Sequence, residues 1–132
     1  MIVTDTGISS RISYYMNSKR PQMLYTSNPL DQKIYQFMAE IFPDLKKTDI
    51  EVIPTDLTED NVFGWTLENN DQNEIEIHNN LRKKDYVTTL IHELVHVDQN
   101  VKGIFDDERR EREAYAVEGI LTNRFFQECD KV

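Results

Sequence analysis

Apolar positions along the chain change their period twice. Between Asn28 and Phe42, the residues Leu30, Ile34, Phe37, Met38 and Ile41 recur at helical spacing and Pro43 closes the run, which predicts an amphipathic helix with one face on a core. The middle of the chain then alternates. Ile50 to Ile53, Val62 to Leu67 and Glu74 to His78 read as three short strands, and the polar run Asn69 to Asn73 reads as a hairpin loop between the second and third. These strands predict a small antiparallel sheet in which Ile75 and Ile77 face the core while Glu74, Glu76 and His78 face water or a cleft. A charged outer face also suits Glu74 to His78 to a sheet edge.

From Tyr86 the period is helical again. Tyr86, Leu90, Leu94 and Val97 form one stripe, widened by Val87, Ile91 and Val95, with Asp85 as the expected N-cap and Gly103 as the stop after Val101. A second helix is expected from Asp106, with Asp107 and Glu108 at its positive end, running through Tyr115, Val117, Leu121 and Phe125. A shorter one is expected over Ile8 to Asn17, ended ahead of Pro21. With no internal repeat and no linker rich in Pro, Gly or Ser, the expectation is one α+β domain over residues 1–132.

Composition narrows the classes of function. The chain carries 24 acidic and 15 basic residues, a formal net charge of −9, with 39% hydrophobic residues and a mean hydropathy of −0.62. That is polar, yet apolar enough for a core. No run approaches the ~18 apolar residues of a membrane span. The N-terminus places Asp5 ahead of Arg11 and has no apolar h-region, so neither a secretory nor a mitochondrial signal is expected and the expected compartment is the cytoplasm. Cys129 is the sole cysteine, which excludes an internal disulfide and a thiolate metal cluster. An isoelectric point near 4.7 argues against a nucleic-acid partner, because the field repels phosphate.

The chemistry is concentrated in Ile91-His92-Glu93-Leu94-Val95-His96-Val97, an HExxH pattern on an apolar helix. Histidines four apart lie one turn above each other, so His92 and His96 can both reach one zinc ion. Glu93 then sits beside the ion, placed to act as general base and afterwards as general acid. A third ligand must come from elsewhere, and Glu111, Glu113 and Glu118 are the downstream carboxylates. If the two helices fold back about Gly103, the level of His92 to His96 corresponds to about Arg110 to Ala114, which suits Glu111 and Glu113 and leaves Glu118 beyond it. Glu113 has Arg109 and Arg110 at ion-pair spacing, whereas Glu111 has no basic neighbour along its helix. Glu111 is therefore preferred to Glu113, with Glu118 third.

With these residues in view, the chain resembles the gluzincins, thermolysin-like zinc metallopeptidases with an HExxH helix and a glutamate from a following helix. The segment Glu111-Arg112-Glu113-Ala114-Tyr115-Ala116 is most similar to minimal members, the minigluzincins and the ImmA/IrrE-type peptidases. The resemblance spans about Val62 to Cys129. It implies Glu111 as ligand and Ala114 as the small residue that lets the helices approach. Tyr115 stands where the family has Asn or Asp to orient the first histidine, which leaves the partner of His92 unidentified. The implied fold is zincin-like, with the HExxH helix packed on the second C-terminal helix and under a small antiparallel sheet of about three strands. A peptide or protein substrate would add to the sheet edge as an extended strand, with Glu74 to His78 as the natural edge. Glu74 and Glu76 would then favour basic substrate residues. His78 reads first as a surface histidine, and Tyr86 and Tyr115 as core aromatics rather than oxyanion donors.

Three functions follow in order of preference. The first is a cytoplasmic zinc metallopeptidase with zinc on His92, His96 and Glu111 and Glu93 as catalytic base. The second is a zinc-binding interaction module without activity. The third is an acidic decoy protein without metal, bound to a basic partner.

Overall fold

The computed structural model describes residues 24–69 and 72–130; the helix expected over Ile8 to Asn17 lies outside them. Strand β1 is short, Leu24–Tyr25. Asn28 then caps helix α1 (Pro29–Ile41), its side-chain oxygen accepting the Leu30 N–H at 3.0 Å, with Pro29 in the first turn where no N–H is needed. A 3-10 turn, Pro43–Lys47, leads into β2 (Asp49–Thr55). A second, Thr58–Asp60, precedes β3 (Gly64–Asn69) and β4 (Gln72–His78). Helices α2 (Lys83–Lys102) and α3 (Asp107–Glu128) complete the fold.

The fold is α+β, but the sheet has four strands in the order β1-β2-β4-β3 and is mixed, where three antiparallel strands were expected. β2 runs parallel to both β1 and β4, and only β3 and β4 are antiparallel. The reason is that β4 is the interior strand. Ile75 is fully buried, with Val52 of β2 opposite it on one side and Thr66 of β3 on the other. Alternation marks which face of a strand is buried and is silent about its neighbours. Residues 56–63 carry the chain past the position of β4 to the far edge. They are tied down where the Leu57 N–H donates to His78 Nδ1 at 3.0 Å and the His78 N–H donates to the Phe63 carbonyl at 2.7 Å. The expected edge, Glu74 to His78, is thus internal, and β1 and β3 are the edges. Strand pairing also continues to Asn69 opposite Gln72, which shortens the expected five-residue loop.

Ile50, Val52, Ile75 and Ile77 form the inner face of the sheet and share one core with α1, α2 and α3. Helix α2 starts at Lys83, with Arg82 at the cap position and Asp85 in the first turn rather than at the cap. It ends where Gly103 takes a φ of 75°, in the left-handed region that favours glycine, and the Ile104 N–H reaches back to the Gln99 carbonyl at 2.9 Å. The chain reverses there, and α3 packs back along α2. Among the described residues no helix is long and apolar enough to cross a membrane.

Candidate metal centre

His92 and His96 stand one turn apart on α2, 9% and 6% exposed, with their Nε2 atoms 3.1 Å from each other. Glu111 meets both from α3. Its Oε1 lies 3.3 Å from His92 Nε2 and its Oε2 lies 3.0 Å from His96 Nε2. One ligand atom from each of the three residues falls within 4.8 Å of the others. Adjacent donors around a tetrahedral ion with bonds of ~2.0–2.1 Å sit about 3.3 Å apart. The three residues therefore fit a single ion.

The other ring nitrogens are already engaged. His92 Nδ1 lies 2.6 Å from Glu118 Oε1, and His96 Nδ1 lies 2.8 Å from Gln99 Oε1. The Gln99 amide is oriented by its own NH2, which donates to the Arg110 carbonyl at 3.1 Å and to Glu113 Oε1 at 3.0 Å. Both Nδ1 atoms thus face acceptors, and the tautomer that donates from Nδ1 leaves both Nε2 lone pairs free for an ion. Two lone pairs and a carboxylate then converge on one point, an arrangement that a cation stabilises and that the residues could supply to one metal ion.

The three downstream carboxylates take three different places. Glu111 is beside both rings. Glu113 turns away to Arg109 Nε at 2.9 Å, and the hydrogen bonds from Arg109 and Gln99 hold its carboxyl below the usual range. Glu118 passes behind the pair and reaches the far nitrogen of His92. It gives His92 Nδ1 the partner that the sequence left unidentified, and the Tyr115 ring packs edge-on against His92 with centroids 4.8 Å apart.

Glu93, 5% exposed, points toward β3. Thr66 Oγ1 donates to its Oε1 at 2.8 Å, and burial pushes the carboxyl up while this hydroxyl pulls it down. The strand lies unusually close to α2 here. A Cβ added at Gly64 would come within 2.9 Å of both the Glu76 carbonyl and Thr89 Cγ2. Together these elements enclose an open cleft of about 740 Å³, walled by Phe63, Trp65 and Thr66 on one side and by Glu111, Tyr115 and Glu118 on the other.

Glu74 and Glu76, expected to face the cleft, lie elsewhere. Both sit on the opposite face of the sheet from Thr66, and Glu76 accepts the Trp65 indole N–H there. His78 Nδ1 is used by the Leu57 N–H. Tyr86 donates its hydroxyl to Asp31 Oδ1 at 2.6 Å, tying α2 to α1. Conversely, sequence reasoning missed Thr66, Gln99 and the orienting position of Glu118. Gln99, three residues after His96 on the same helix face, carried a local signal; Thr66 carried none, because its contact spans 27 residues.

No family model matches the chain, and neither a curated protein nor a solved structure does.

Proposed function

We propose that the protein is a zinc-dependent peptidase of zincin-like fold, with His92, His96 and Glu111 as metal ligands and Glu93 as the catalytic base. The observation that carries this reading is the meeting of two Nε2 atoms and the Glu111 carboxylate, with both Nδ1 atoms already bonded, next to a buried glutamate. A zinc ion held there would supply the positive charge that brings a water toward a pKa of ~7 and polarises a peptide carbonyl. The remaining work falls to the chain. Glu93 Oε1 is held by Thr66, which leaves Oε2 to take the proton of the attacking water and return it to the leaving amine nitrogen. Glu118 and Gln99 keep the two imidazoles in the tautomer and orientation that present Nε2. β4 pairs with one side of β3, and the other side offers backbone groups to an extended substrate chain along the cleft.

The test is zinc content by elemental analysis together with cleavage of a peptide mixture read by mass spectrometry, for the parent and for Glu93→Gln. One zinc per chain in both, with cleavage in the parent alone, is the expected result. Cleavage by Glu93→Gln at the parental rate would overturn the base assignment, and a parent without zinc after zinc addition would overturn the ligand set. Zinc without any cleavage by the parent would favour an inactive zinc-binding module in which the ion ties α2 to α3.

A further inference from the structure

We infer that Thr66 is the positioning residue for Glu93: its hydroxyl, carried on the edge strand, sets the orientation of the carboxylate that the peptidase reading uses as base. The inference rests on that reading for its kinetic consequences, though not for the geometry. Thr66 Oγ1 is 2.8 Å from Glu93 Oε1 and 3.3 Å from the Glu93 carbonyl oxygen. A hydroxyl has one proton, and the nearer, more electron-rich carboxylate oxygen takes it. Among the described residues, no other side chain hydrogen-bonds the Glu93 carboxylate. A long, buried, flexible acid is thus held by one donor.

The backbone of β3 brings that donor within reach. Thr66 and Gly64 share the inner face of the strand, opposite Ile75 and Ile77. A side chain at position 64 would collide with the Glu76 carbonyl and Thr89 at 2.9 Å, so glycine there lets the strand settle against α2. Two residues further on, the Thr66 hydroxyl meets Glu93. The same strand presents its outer edge to an extended substrate, so substrate seating and the orientation of Glu93 depend on one element. A purely structural threonine would satisfy its hydroxyl without affecting turnover specifically.

The experiment compares the parent with Thr66→Val, which keeps the shape and removes the hydroxyl, and Thr66→Ser, which keeps the hydroxyl. In the metal-free proteins, three-bond couplings of the Glu93 side chain by NMR should report one rotamer in the parent and in Thr66→Ser, and averaging in Thr66→Val. In the zinc-loaded proteins, Thr66→Val should lower kcat about 10- to 100-fold with KM within about twofold, and Thr66→Ser should recover kcat to within about threefold. Parental kcat and a single Glu93 rotamer in Thr66→Val would overturn the inference. So would equal losses in Val and Ser variants accompanied by equal drops in the unfolding midpoint, since these mark a structural role. If the parent cleaves nothing, the peptidase reading fails, and the rotamer measurement still decides whether Thr66 positions Glu93.

Discussion

Glu118 Oε1 lies 2.6 Å from His92 Nδ1, so α3 grips this ring from behind while Glu111, about two turns earlier on the same helix, meets its Nε2 from the front. If that bond orients the ring, Glu118→Ala should weaken zinc binding about 10- to 100-fold. Glu118→Gln should weaken it less, because an amide oxygen still accepts the Nδ1 proton. Competition against a chromophoric chelator measures both, and parental affinity in Glu118→Ala would remove Glu118 from the site.

Glu111 and Glu113 are two residues apart and predict opposite results. Glu113 is half-exposed and bonded to Arg109 and to the Gln99 amide, and its loss should cost about 1–2 kcal/mol. Added zinc should raise the melting temperature of the parent and of Glu113→Ala, and leave that of Glu111→Ala unchanged. The reverse pattern would move the third ligand to Glu113.

The approach of β3 to α2 makes Gly64 sensitive. Gly64→Ala places a methyl group 2.9 Å from the Glu76 carbonyl and should destabilise the fold by about 1–3 kcal/mol, as overpacking does. At Gly119, in α3, a Cβ meets nothing within 4 Å. Gly119→Ala should therefore stabilise by about 0.5–1 kcal/mol, since glycine in a helix costs that much. Urea midpoints with unchanged slopes would measure both.

Asp31 supplies a pH dependence away from the metal centre. It is 1% exposed and accepts the Thr26 and Tyr86 hydroxyls, each at 2.6 Å. Burial pushes its carboxyl up by more than these hydroxyls pull it down. Between the unfolded aspartate pKa of about 3.9 and the raised native one, the native state therefore binds more protons than the unfolded chain. Ionised Asp31 opposes folding; the penalty is fully present above the raised native pKa and fades as pH falls toward the unfolded value. Asp31→Asn should accordingly destabilise less at pH 7 than near pH 4.5 in urea unfolding. A larger loss at pH 7 would reverse the assigned sign.

Features set by neighbours within a turn or two could be read from the chain. The helical run between Asn28 and Phe42, the Gly103 reversal and the helical stripe through Leu90 and Leu94 each depend on local backbone and burial preferences. The spacing of His92 and His96 placed both rings on one face of α2 for the same reason. Counting back from Gly103 also brought Glu111 and Glu113 to the level of those rings, because two helices reversed about one turn share a rise of about 1.5 Å per residue, but it placed Glu118 beyond them, where the structure has its carboxylate on His92 Nδ1.

Strand order was a different matter. The alternation through Ile75 and Ile77 announced a strand with one buried face, yet equally permits an edge or an interior position, and packing placed β4 between β2 and β3. Glu74 and Glu76 keep the face opposite Ile75 and Ile77 in either position; packing decided that β3 lies against α2 and that the cleft opens on the face of Thr66. The hydroxyl of Thr66 on Glu93 and the carboxylate of Glu118 on His92 join residues 27 and 26 positions apart. Contacts of that kind arise when whole elements settle on a shared core, and no periodicity along the chain encodes them.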